Sequence, residues 1–263
     1  MRYAVVQKTL DPLPTIDQLK KAFHGIPGLT SADAYILGKD AFGILVKGFS
    51  LECANMLQSS LAGQGLESEV IDEAVLPVLP QGKNVSQLAC TPEALLIYDP
   101  LNRSFPLEWK NIMMIAAGKV PLTEFSKVRN EVEVSTPQVN LFTGGVHMER
   151  RTEVQYSSRE QRADRLLLEI ILTRAVLRYT IAADKSPLLF NYLGERRTRD
   201  VNRDFALLVQ DLIKFAPQAA INRGAYYLRE DAAQPFVYPS RNAFYEEITW
   251  LLWKIPPGST TQA

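Results

Sequence analysis

Four arginines, Arg196, Arg197, Arg199 and Arg203, fall within eight residues of the stretch NYLGERRTRDVNRDFALL (191–208). A guanidinium offers a planar fork of N–H donors that matches phosphate or carboxylate, so the cluster is a candidate anion site. Arg203 lies between Asp200 and Asp204 on an expected helix, where ion pairing within the helix explains it. Arg196, Arg197 and Arg199 precede that helix. Cations at a helix N-terminus oppose its dipole, so these three require an anion opposite them: a ligand, or the acidic N-terminal part of the chain.

The two histidines are His24 and His147. His24 closes an expected helix, where a cation suits the dipole. His147 stands two residues before Glu149 in GGVHMERR. An H-x-E pair occurs in zinc deaminases, but these need a downstream P-C-x-x-C, and no cysteine follows Cys90. His147 and Glu149 are therefore the weak metal candidates of this chain, and a metal-dependent enzyme centred on them is one functional reading. No H-E-x-x-H, G-x-S-x-G, Walker or G-x-G-x-x-G pattern is present. No catalytic residue and no cofactor is assigned. Glu246 and Glu247 read as a solvated helix face. Trp250 and Trp253 widen the apolar surface of the last helix, which makes them a candidate interaction surface; packing on the rest of the chain is the plain alternative.

The elements that must position these residues follow from periodicity. RYAVVQ reads as a strand; Thr15 and Gln18 frame a capping box before Ile16, Leu19, Ala22 and Phe23. TSADAYIL is a short helix from Thr30 that ends at Gly38. FGILVKGF is a strand, Ser50 caps LECANMLQSSLA, and LESEVIDE alternates as a half-buried strand does. The order is β-α-α-β-α-β over residues 1–76. VLPVLPQGKN, with Pro77, Pro80 and Gly82, reads as a linker over 77–84.

Residues 85–216 open with a hairpin, in which ALLIY and SFPLEW flank the turn DPLNR. NIMMIAAGKV is a further strand. Residues 121–162 lack sustained apolar periodicity and are expected to form a long polar loop or insertion, with strands at EVEV and TEVQY. RLLLEIIL, where Glu169 interrupts the apolar run, and VLRYTIAA follow as strands, and PLLFNYL as a short one. A helix capped by Asp200 or Asn202 then buries Phe205, Leu208, Val209, Leu212 and Ile213. Residues 217–263 form a C-terminal helical extension ending in RNAFYEEITWLLWKI. The expected class is α+β: a small β-α-α-β-α-β N-terminal domain, then an antiparallel β domain with C-terminal helices.

The turn GIPGLTSADA, the strand ILVKGFS and the close LAGQGLESEVID make residues 1–76 resemble the C-terminal domain of the bacterial ribosomal stalk protein. The ClpS adaptor shares that general fold. The layout of 84–216, several strands closed by one amphipathic helix, resembles a pleckstrin-homology or GRAM-like barrel. Both resemblances imply binding modules, not enzymes. The lipid-binding members use a basic loop between their first strands; here DPLNRS offers Arg103 alone, which argues against an inositol lipid.

Lys+Arg and Asp+Glu number 29 each, so no global charge draws the chain to nucleic acid or membrane. Residues 1–80 carry 6 basic and 9 acidic side chains, and residues 150–204 carry 12 and 8. Two cysteines, Cys53 and Cys90, make no secreted disulfide framework. Without a signal peptide pattern or a long apolar run, the expectation is a cytoplasmic chain with no membrane span. The leading functional expectation is a non-enzymatic protein-interaction, adaptor or regulatory module with a protein partner, self-association included. The others are an anion-binding module for phosphate, nucleic acid or a lipid headgroup that uses Arg196, Arg197 and Arg199, and the enzyme above.

Overall fold

The structure is a computed structural model. It describes residues 1–139, 146–173, 177–230 and 234–255, with the backbone alone for 123–139, 146–162 and 187. The chain divides into two compact units, one made of Met1–Pro121 and Asp164–Ala263, the other of Leu122–Ala163. It belongs to the α+β class.

The N-terminal elements are β1 (Tyr3–Gln7), α1 (Ile16–Phe23), α2 (Ser31–Asp40), β2 (Ile44–Phe49), α3 (Leu51–Ala62) and β3 (Ser68–Asp72). This is the expected order. Local chemistry sets its boundaries: Thr15 with Gln18 and Thr30 with Asp33 form capping boxes, and the Ser50 hydroxyl accepts from Cys53 N–H. Helix α2 does not stop at Gly38 but runs to Asp40. The glycine serves packing, since a Cβ there would lie 2.5 Å from Ile16 Cγ1 of α1. The sheet order is β2-β1-β3, with β1 antiparallel to both neighbours.

Strand β1 alternates between two cores. Val5 packs with Leu19, Ala22 and Phe23 of α1 and with Ala54, Leu57 and Leu61 of α3. Ala4 and Val6 point to the other face, where with Ile44 they meet Trp250. That face is covered by α6 (Arg241–Lys254), the last described helix. The small sheet is thus buried on both sides, as a strand with no polar face requires.

Four further strands are short: β4 (Gly82–Asn84), β5 (Leu88–Cys90), β6 (Leu95–Tyr98) and β7 (Ser104–Leu107). β5, β6 and β7 form an antiparallel sheet that contains the expected hairpin. Its turn is tied by Asp99 Oδ1, which accepts from Leu101 and Arg103 N–H at 2.9 Å each, and Asn102 takes φ +60°. Next come β8 (Ile112–Val139), β9 (Val146–Leu172), β10 (Arg178–Ala182) and β11 (Ala220–Ile221). The five-stranded sheet has the order β11-β8-β9-β10-β4. β9 and β10 are antiparallel, while β10–β4 and β11–β8 are parallel, so the sheet is mixed.

Helices α4 (Val201–Phe215) and α5 (Arg223–Arg229) complete the fold. Phe205, Leu208, Val209 and Leu212 of α4 enter a core with Ile112, Ile115, Leu168, Ile170 and Ile181. Two readings of the sequence are corrected. PLLFNYL is not a strand: residues Pro187–Arg196 form 3-10 turns, and the buried Leu189, Phe190 and Leu193 have helical rather than alternating spacing. The expected strands at EVEV and TEVQY are present, but the polar loop expected around them is not: residues 121–139 and 146–162 belong to β8 and β9, of 28 and 27 residues. Among the described residues, no helix is long and apolar enough to cross a membrane.

Candidate functional site

Two of the four arginines, Arg196 and Arg197, meet aspartates of the adjoining helix. Arg196 makes a fork to Asp211 of α4, with Nη1–Oδ1 at 2.9 Å and Nη2–Oδ2 at 2.7 Å, and the Tyr192 hydroxyl donates to the same carboxylate at 2.9 Å. Asp204, buried in the first turn of α4, accepts from Thr198 N–H at 2.7 Å and from the Thr198 hydroxyl at 2.9 Å. Arg197 Nε lies 3.7 Å from Asp204 and its Nη1 donates to Asn191. Arg199 is exposed, at φ +68°. The expected pairing of Arg203 with Asp204 is replaced by this network: Asp204 faces Thr198 and Arg197, and Arg203 is exposed. The counter-charges come from α4, not from the N-terminal part of the chain. Beside them, Cys90 is a free thiol, pushed up to about 12 by burial.

Trp250 is 7% exposed and its indole N–H donates to Gln7 C=O at 2.7 Å. Trp253 is half-buried at the edge of the same contact. The side chains of His147 and Glu149 lie outside the described residues. Among the described residues, no three His, Cys, Asp or Glu side chains are grouped to hold a metal ion.

Two buried carboxylates organise the remaining polar interior. The first, Glu247 of α6, is not the solvated acid that its sequence position suggests but is 1% exposed. Glu246 beside it is half-buried, 3.8 Å from Lys47. Glu247 Oε1 accepts from Arg223 N–H at 2.7 Å, the first residue of α5, and Oε2 accepts from the Tyr238 hydroxyl at 2.5 Å. Asn222 completes the node. Its Oδ1 accepts from Ala117 N–H and caps α5 at Ala225 N–H, while its Nδ2 donates to Ala117 C=O and to Tyr238 Oη. A cleft of about 380 Å³ opens over this node, lined by Leu10, Asp11, Arg223, Tyr226, Tyr227 and Glu247, among others. Arg223 spans it to reach Asp11 Oδ1 at 2.9 Å.

The second, Glu169 of β9, is fully buried. It accepts from the Thr180 hydroxyl at 2.8 Å and the Tyr245 hydroxyl at 2.6 Å. Arg178 Nε stands 3.8 Å away. Arg178 and Arg241 both lie over the Tyr245 ring, at 5.1 and 5.4 Å from its centroid. With Leu79, Asn242 and Tyr245 they line a cleft of about 530 Å³.

No protein family, curated protein or solved structure matches the chain.

Chemically the two nodes differ. Both oxygens of Glu247 are taken by donors of the chain itself, so that node clamps α5, α6 and the 237–238 segment together. At Glu169 both oxygens are also taken, but Nε of the neighbouring Arg178 has no hydrogen-bond partner. None of these residues was singled out as a site by composition or motif. The signal for Glu169 is a charge inside the apolar run LLLEIIL, since an acid in a buried strand needs partners waiting for it.

Burial raises the proton affinity of both acids, against the hydrogen bonds and arginines that favour the charge. A carboxyl raised above its usual 4.5 binds more protons folded than unfolded. Its contribution to stability is complete below about pH 4.5 and declines as pH rises through the folded value. Glu247→Gln, neutral at every pH, is expected to flatten the fall in denaturation midpoint on going from pH 4.5 to neutrality. Wild type and variant with identical pH slopes would show that Glu247 is not the group responsible.

Proposed function

We propose that the protein is an interaction module, not an enzyme, and that it works as a pair of copies joined along the edge of β8. The observation that carries this is the length of β8 and β9, 28 and 27 residues, against about 5–6 for an ordinary strand. Among the described residues, pairing on the outer edge of β8 reaches Lys119, and that on β9 stops at Leu167. Beyond those points each strand has one neighbour in the sheet order. Open strand edges of this length are templates for another strand, and a lone two-stranded ribbon is marginal in water without one.

Charge order favours a second copy as that neighbour. Lys127, Arg129, Glu131 and Glu133 occupy alternate positions of β8 and so share one face. A two-fold axis through Asn130 sets β8 antiparallel to its copy, with 127 opposite 133 and 129 opposite 131. Each basic position of the strand then stands opposite an acidic position, and position 128 opposite position 132. Identical edges meet in this self-complementary way in two-fold dimers. Residues 122–163 carry six acidic and six basic side chains, so no net repulsion opposes the approach. Light scattering on the eluting peak of a size-exclusion column is expected to give twice the chain mass across a dilution series. A single-chain mass at every concentration would refute the pairing.

A further inference from the structure

The cleft beneath the N-terminus of α6 is lined by an arginine whose buried Nε the chain leaves unpaired. Arg178 sits on β10 with 13% of its side chain exposed. Its Nε is buried with no hydrogen-bond partner. The one carboxylate near it, Glu169, is 3.8 Å away and already accepts from Thr180 and Tyr245, one on each oxygen. A buried N–H left unpaired is costly, and the guanidinium has four further N–H donors beyond this one. The position is nonetheless built with care. Gly82 of β4 pairs with Arg178, and a Cβ at 82 would lie 2.1 Å from Thr180 Oγ1 and 3.3 Å from Arg178 Nη2. Glycine at 82 therefore leaves room for the hydroxyl that holds Glu169 and for the arginine itself.

A second cation converges on the same place. Arg241, the first residue of α6, is exposed and lies over the Tyr245 ring, as Arg178 does. Among the described residues Arg241 makes no salt bridge, though with Arg178 it favours the charge of Glu169. With Glu169 offsetting Arg178, Arg241 leaves the cleft net positive. Helix α6 adds the positive end of its dipole at Arg241 and Asn242. Tyr245 and Leu79 give an aromatic and an aliphatic wall, and the volume of about 530 Å³ suits an organic molecule.

We propose that this cleft binds a phosphate monoester, with the phosphate held between Arg178 and Arg241 and the organic part against Tyr245 and Leu79. Two guanidinia supply more donors than a carboxylate can accept, and a phosphate monoester carries more than one negative charge near neutrality. This site is separate from the arginine turn at 196–199, where Asp211 pairs with Arg196 and Asp204 lies beside Arg197.

The test is isothermal titration of the full chain at low ionic strength with phenyl phosphate, inorganic phosphate and acetate. The expected order is phenyl phosphate tightest, inorganic phosphate weaker and acetate weakest. Arg241→Gln is expected to weaken phenyl phosphate at least about tenfold with a far smaller effect on the thermal midpoint, because Arg241 is exposed and sits at a helix N-terminus. Arg178→Lys keeps the charge but loses the planar fork, and is expected to weaken it to a similar degree. No saturable binding of either phosphate would overturn the proposal. So would acetate equal to phosphate, or wild-type affinity in Arg241→Gln.

Discussion

Trp250→Ala is expected to cost about 3–5 kcal/mol, the usual price of emptying a buried aromatic site. Trp250 is the buried side chain of α6 in the core formed with Ala4, Val6 and Ile44, with Leu251 and Trp253 partly buried beside it. Its removal opens a cavity between helix and sheet and also strands the Gln7 carbonyl that accepts from the indole. Gly43 is shaped to fit it: a Cβ there would lie 2.3 Å from Trp250 Cγ, and φ is +93°. Gly43→Ala is therefore also destabilising, and less so in the Trp250→Ala background, where the clash is gone and only backbone strain remains. Urea denaturation reads both effects as a lower midpoint at unchanged slope. A loss below about 1 kcal/mol in Trp250→Ala would mean that α6 is not what covers the N-terminal sheet.

Asn222→Ala is expected to be the next most damaging change, on the order of 3 kcal/mol. Asn222 is 1% exposed and makes four hydrogen bonds, two of them to the N–H and C=O of Ala117. Alanine removes the cap of α5 and leaves both backbone groups of a buried strand residue unpaired. Gly224 next to it packs so close to Ala117 C=O, 1.9 Å from a would-be Cβ, that the surroundings cannot shift inward to compensate. Asn222→Asp separates the contributions: it keeps the acceptor for Ala117 and Ala225 N–H but loses both donors. Equal midpoints for Asn222→Ala and wild type would remove the node from the account.

The N-terminal order was legible because its signals are local. Thr15–Gln18, Ser50 and the helical stripes of α1 and α3 decide their own structure within a few residues. The cover on the sheet was not, because it joins residues about 240 apart, Gln7 and Trp250. The available clue was the run Ala4-Val5-Val6, which has no polar face and so must be buried twice. The arginine turn was legible as a demand for anions but not as to their source. Asp204 and Asp211 stand seven residues apart on α4, two turns along one face, and that spacing points them both at the preceding turn. The clefts were invisible, since Arg178, Arg241 and Tyr245 come from β10 and from two turns of α6. Within β8 and β9 only EVEV and TEVQY read as strand, because the residues around them carry no sustained apolar period.

The central claim is the pairing of two copies along β8. It is tested most directly with two charge variants, measured alone and mixed, by light scattering. Lys127→Glu with Arg129→Glu makes the edge wholly acidic, and Glu131→Lys with Glu133→Lys makes it wholly basic. Each variant alone is expected to be a monomer, since like charges then face each other across the two-fold. The equimolar mixture is expected to return to the two-chain mass. Variants that remain paired alone, or a mixture that stays monomeric beside a paired wild type, would contradict the account.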